Sequence, residues 1–334
     1  MSGTFPTFDY ENNSTVSGAN AQPSFTTFFG SGSAIGSQSA VYNGLGTVPP
    51  STDSTNSSLI VTGGASTAIP NGYAAAYDLS SQDTVTGGGS GLSVYLQNDS
   101  TYIGGSGADT VYAGGADRVW GGSAPTSVFG GADGTTVQGG AGSLQFVGGL
   151  GAVSVSGGAG NTTLWGGNGS AASVLTGGSG NNTLIGGSGS GPTTLTGGGG
   201  TVMFADGNSP TVFQQTAFSQ GNLLINGTTG AGQELVVGAR AGAVNETVAL
   251  NNNADTVLSG AGQMNVLGGQ GPDLYGIFQG DGSITNIYGF KAIDQVAFVG
   301  ETVAKEQVVH GSDQIIGSGG DTVNLIGVDH TVYS

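Results

Sequence analysis

Pairs of glycines stand at positions 121, 130, 139, 148, 157 and 166, an unbroken nine-residue phase. The phase continues at 177, 186 and 197, where two units have grown to eleven residues, and earlier pairs at 104 and 114 bound a unit of ten. Typical units read GGSGADTVY (104–112), GGAGNTTLW (157–165) and GGSGNNTLI (177–185), each a glycine turn followed by a short β-branched or aliphatic run. Glycine adopts positive φ and lets backbones approach closely. Alternation along the strand then points one apolar side chain inward, as at Val111, Val137, Leu164 and Leu184. Two units make an eighteen-residue coil with two strands, and coils stacked about 4.8 Å apart pair in parallel, so 104–200 supplies about five of them. The expected fold is all-β, a parallel β-roll or β-solenoid with N-terminal and C-terminal caps.

Composition separates this reading from disorder. Glycine accounts for 69 of 334 residues and charged residues for only 7%, yet Val, Leu, Ile and Thr clusters recur throughout. A solenoid needs no thick core, since each coil buries its apolar side chains against its neighbours. The formal charge is -17, and the only cations are Arg118, Arg240, Lys291 and Lys305, so no basic patch for nucleic acid is expected. With no cysteine there are no disulfides, thiolate metal sites or cysteine nucleophiles. No apolar run reaches membrane-spanning length. The first ten residues show neither a basic n-region nor an apolar h-region, so export is expected to be directed from elsewhere.

Three regions follow. Residues 1–55 are a Ser, Thr, Asn and Pro-rich entry whose aromatics Phe5, Phe8, Tyr10, Phe25, Phe28 and Phe29 are expected to cap the first coil. Residues 56–283 form the glycine-rich solenoid, most regular over 104–200. Residues 284–334 carry both lysines and read as a compact C-terminal cap.

The units resemble the pattern G-G-x-G-x-D-x-U-x of the repeats-in-toxin family of parallel β-rolls. Residues 104–200 carry the resemblance, with further fragments GGQGPDLYG (268–276) and GSGGDTV (317–323). The passage ITNIYGFKAIDQVAFVG (284–300) is similar to the segment that follows the roll in that family, and GGDTVNLIGVDHTVYS to its uncleaved type I secretion signals. The resemblance implies a protein exported to the extracellular space or cell surface of a bacterium. It also implies calcium at the sixth position of the unit, because a hard cation takes six to eight oxygens including carboxylates. Asp109 and Asp273 occupy that position, and Asp117, Asp133, Asp255 and Asp321 are further candidate ligands. The alternative is that all six are solvated turn aspartates. In the intervening units the position holds Leu144, Val153, Thr162, Asn182 and Gly191, and no charged residue lies between Asp133 and Asp206. The central coils are therefore expected to stand without metal, Asn and Thr serving the turn backbone instead.

Catalytic patterns are sparse. His310 and His330 are the only histidines, which excludes HExxH and three-histidine zinc centres. His310, Ser312 and Asp313 fall within one short stretch and read as a polar turn rather than a triad. No GxG triplet opens a helix after a strand with the spacing of a dinucleotide site. Scattered acids such as Asp206 with Glu234, or Asp273 with Asp281, leave a polysaccharide-acting enzyme as the least favoured reading. The leading expectation is a non-catalytic, self-assembling surface protein, a homo-oligomer forming a filament, surface layer or biofilm matrix. The alternative is a monomeric adhesin or ligand-binding solenoid recognising a surface polysaccharide, or ice through threonines in NTTL, NNTL and PTTL.

Overall fold

The computed structural model describes residues 39–51, 57–63, 66–97, 99–200, 202–205, 209–214, 223–227, 232–239, 245–279 and 282–328. It is an all-β solenoid of about 13 turns, each contributing one short strand to each of two parallel sheets. The first sheet runs from Ser39–Tyr42 and Ser58–Val61 through Thr126–Phe129 and Thr162–Trp165 to Ile284–Tyr288. The second runs from Ser66–Ala68 through Thr135–Gln138 and Ser173–Thr176 to Gln295–Val299. Register follows the repeat: Thr126 pairs with Leu144, Leu144 with Thr162 and Thr162 with Asn182. Among the described residues no helix is long and apolar enough to cross a membrane.

A typical strand has four residues, and its first and third side chains point inward. Leu144 and Phe146, Thr162 and Leu164, and Ser173 and Leu175 are all buried in this way. The third-position column runs through Val111, Val128, Phe146, Leu164, Leu184 and Phe204, one residue per coil, and forms the core as a continuous rod. The inward predictions for Val111, Val137, Leu164 and Leu184 hold, each being fully or nearly fully buried.

The glycine pairs form the corners, where backbone stacks directly on backbone. Ala159 N donates to Gly140 O at 2.8 Å, and Ser179 N to Gly158 O at 2.9 Å. A Cβ on Gly158 would run into the Gly140 carbonyl oxygen. That lack of room accounts for the strict phase of the pairs.

Both ends depart from the sequence outline. The coil continues through Ile284–Tyr288 and Gln295–Val299, which pair in parallel with Gln263–Leu267 and Leu274–Phe278. The cap thus begins at Val303 rather than 284. It is an antiparallel hairpin, Val303–Val309 with Ser312–Gly317, followed by Thr322–Ile326, which closes the first sheet by pairing in parallel with Ile284–Tyr288. His310 and Gly311 turn the hairpin with φ of 52° and 74°, as a two-residue hairpin loop requires. At the other end, Tyr73 and Ser51 tie the entry to the first coils through Tyr73 Oη to Pro49 O (2.7 Å) and Ser51 Oγ to Gly72 O (2.6 Å). The aromatics Phe5 to Phe29, which were expected to cap this end, lie outside the described residues.

Candidate functional site

At Asp109, Leu144, Val153, Thr162 and Asn182 the sixth position of the repeat unit is the first, inward-facing residue of its strand, and Asp273 directly precedes its strand, whereas in the eleven-residue unit Gly191 lies two residues before Thr193–Thr196. Where it opens the strand it is therefore a core position facing the glycine corner of its own coil, not a solvated turn. Asp109, Asp117, Asp255, Asp273 and Asp321 are all buried, whereas Asp133 is exposed on a corner. The solvated-turn alternative fails for those five.

Their hydrogen bonds show what the buried carboxylates do. One oxygen reaches across to the amide of the preceding coil: Leu92 N to Asp109 Oδ1 (3.1 Å), Ser100 N to Asp117 Oδ1 (2.8 Å), Asp255 N to Asp273 Oδ1 (3.2 Å). Glu234 N donates to Asp255 and Ser283 N to Asp321 in the same way, both at 2.8 Å. The second oxygen serves nearer donors, Gly114 N and Gly115 N on Asp117 Oδ2, Gly269 N on Asp273 Oδ2, and the Tyr102 hydroxyl on Asp109 Oδ2. Each carboxylate thus ties two coils together, satisfying donors that would otherwise be buried unpaired at a cost of about 1–3 kcal/mol each.

Where the first inward residue of a strand is not an acid, a neutral acceptor takes its place. Gly131 N donates to Thr135 Oγ1 (3.2 Å), Gly167 N to Ser173 Oγ (3.0 Å) and Gly178 N to Asn182 Oδ1 (2.7 Å). Leu144 and Val153 at the same position add to the core instead.

Further buried acids extend the columns: Glu234, which the sequence offered only as a scattered acid with Asp206, and Asp83, Asp294 and Glu246, which were not singled out from sequence. Register aligns Glu234, Asp255, Asp273 and Asp294 in successive coils of the second sheet, and Asp83 and Asp117 on either side of Ser100. Carboxylates about 4.8 Å apart repel by about 3 kcal/mol per adjacent pair at an effective dielectric of 20. Burial raises Asp109, Asp117 and Asp273 above the ordinary carboxylate range, and their backbone donors offset part of that push. Glu246, fully enclosed beside Ala239 N, is pushed by burial up to about 7. Among the described residues no three acid or histidine side chains converge on one point. His310 is exposed at its turn while Asp313 is buried, and Ser312 Oγ accepts from Gly327 N. Asp206, Arg240, Asp281 and His330 lie outside the described residues.

The second distinctive surface is the outer face of the first sheet. Tyr77, Tyr95, Tyr112 and Phe129 stack ring on ring with centroids 4.7, 4.7 and 5.1 Å apart, and register continues the row through Val147, Trp165 and Ile185. Beside it runs a row of small and polar side chains that includes Ser93, Thr110, Ser127, Gln145, Thr163 and Thr183. Neither row carries a charge from Ala75 to Ile185. No protein-family model matches the chain, and comparison with curated proteins finds no relative.

Proposed function

We propose that this chain is a non-catalytic structural protein of the bacterial cell surface or extracellular space that associates with copies of itself into a filament, layer or matrix. The observation that carries the reading is the uncharged outer face of the first sheet between Ala75 and Ile185, with its stacked row from Tyr77 to Phe129. A chain of charge -17 repels its copies, and contact costs least where the surface is neutral, flat and periodic. The ends supply a second contact. Among the described residues Gln295–Val299 pairs only with Leu274–Phe278, and Ser66–Ala68 only with Thr84–Thr86, so the second sheet presents an open strand at each end. An open strand gains backbone hydrogen bonds when another chain completes it. Contacts between unlike patches propagate rather than close. The location rests on the resemblance of the glycine units to exported β-rolls.

Light scattering and electron microscopy of the purified chain test the proposal. Large assemblies are expected, and they should shrink when Tyr112→Lys and Trp165→Lys place charge on the outer face. A chain that stays monomeric at high concentration overturns the reading. Binding to a surface polysaccharide by such a monomer would put the adhesin in its place.

A further inference from the structure

The outer face of the second sheet lies across the roll from the stacked tyrosines and is covered mainly by serine and threonine. Register aligns Thr101, Arg118 and Thr136 in one row and Ile103, Trp120 and Gln138 in the next. Arg118 and Trp120 stand on one strand, both exposed, with Val119 buried between them. Trp120 is 43% exposed, and Ile103 in the coil before it 38%. From Ser66 to Thr196 the strands of this sheet place no other charge on the outer face.

Arg118 turns away from the acid beside it, since Asp117 is buried and gives both oxygens to backbone amides. A guanidinium carries five N–H donors and no acceptor, and it binds aromatic rings as well as oxygens. Tryptophan, tyrosine and arginine are the side chains that dominate the energetics of protein interfaces. Arg118 and Trp120 supply two of the three on one face of the roll. Tyr95 and Tyr112 supply the third on the other face, and in the same turns: the chain passes from Ser93–Tyr95 to Thr101–Ile103, and from Asp109–Tyr112 to Arg118–Trp120.

We propose that copies of the chain associate front to back, with Ile103, Arg118 and Trp120 of one copy seated against Tyr95 and Tyr112 of the next. The inference rests on the self-association reading and names the contact within it. Translation across the roll, with no shift along it, brings the two faces together because they occupy the same turns. Both faces repeat at the strand spacing of about 4.8 Å, so their rows stay in phase over successive coils. The guanidinium then meets phenol oxygens and ring π density, the indole packs on the stacked rings, and uncharged side chains surround them. Arg118 is the one cation on these faces and meets a neighbour of net charge -17, so attraction falls at the centre of the contact. Unlike faces are joined, so every added copy presents a new tyrosine row on one side and a new Arg118–Trp120 pair on the other, and growth continues sideways. Two tyrosine rows meeting each other would be self-complementary and would stop at a pair.

Electron microscopy and light scattering of the full chain test the contact, read as the number of rolls lying side by side. The parent should grow to many. Trp120→Lys keeps the tyrosine row and loses the opposite face, and Tyr112→Lys does the reverse, so each alone should stay one roll wide. Mixed in equal amounts they should form objects two rolls wide, joined by the intact face of each. Tyr95→Lys, one coil earlier in the row, takes the place of Tyr112→Lys should that variant lose its β-sheet circular dichroism. Thr194→Lys adds the same charge four coils further along the second sheet and should grow as the parent does. Arg118→Gln should raise the concentration at which growth begins by roughly tenfold or more. The front-to-back contact is overturned, and self-association left standing, if Trp120→Lys grows as wide as the parent, if the mixture is no wider than its components, or if Arg118→Gln grows at the parent's concentration. Thr194→Lys assemblies as narrow as those of Trp120→Lys overturn it equally. A parent that stays monomeric removes the self-association reading and this contact with it.

Discussion

In the coil that contains Thr135 the amide of Gly131 meets a hydroxyl at 3.2 Å, whereas in the coil before it the amides of Gly114 and Gly115 meet the carboxylate of Asp117 at 2.9 and 3.1 Å. The backbone geometry is shared and the acceptor differs. From 134 to 205 the chain carries no charge, and hydroxyls and an amide serve the corners. On either side, buried carboxylates do so and also hold an amide of the preceding coil. The corner needs an inward acceptor and tolerates either kind. The acid makes stronger, charge-assisted bonds, but it must be desolvated and its strength depends on pH.

The largest effect should fall where the two regions are alike. Gly158 in the uncharged middle and Gly105 in the acid-bearing flank each face a carbonyl of the preceding coil, Gly140 O and Gly88 O respectively, with no room for a Cβ. Replacing either by Val is expected to cost about 4 kcal/mol or more, because backbone rather than a movable side chain is in the way. Denaturant unfolding monitored by circular dichroism measures it. A mild effect at one site and a severe one at the other would break the shared geometry.

Next comes pH. Glu246 is raised in the fold to about 7 from an ordinary value of 4.5, so the fold favours its protonated form. Its contribution is fully present below pH 4.5 and is lost as pH rises through about 7. The loss is up to about 3 kcal/mol, an upper bound that relaxation and water entry reduce. Asp109, Asp117 and Asp273 shift in the same direction and add to it. Melting from pH 4 to 8 should show this decline, and Glu246→Gln should flatten part of it.

Smaller effects separate the two kinds of acceptor. Asp117→Asn sets an N–H against backbone donors and should cost about 1–3 kcal/mol. Thr135→Val removes a single neutral bond and should cost about 1 kcal/mol. Equal losses in paired unfolding curves would mean that the extra tie between coils contributes nothing.

Much of the architecture was legible because the glycine pairs mark the corners from 104 to 200, and the third strand position, Val111 through Leu184, is reliably apolar. The acids were harder. An aspartate one or two residues beyond a glycine reads as a turn residue or a metal ligand, which is how Asp109 and Asp273 first read. The signal that places them is parity: Asp109 precedes Val111, Asp117 precedes Val119, Asp255 precedes Val257 and Asp273 precedes Tyr275, each by two residues and hence on the same face. The last coil was hidden for a different reason. Residues 284–299 lack the glycine pair, and their place in the roll depends on parallel pairing with distant strands that no local pattern reports. A test of secretion by truncation should therefore begin at Val303, since removal from 284 also strips a coil from the roll.

Residue-resolved hydrogen exchange, corrected for intrinsic rates and run in excess chelator at pH 5 and pH 8, tests most directly whether one backbone plan is served by two kinds of acceptor. The amides of Gly131, Gly167 and Gly178 should keep the same protection in every condition, while that of Ala239, held by Glu246 at 2.8 Å, should lose protection at the higher pH. Loss of protection across residues 121–200 on adding chelator, or in step with Ala239 as pH rises, would contradict the account.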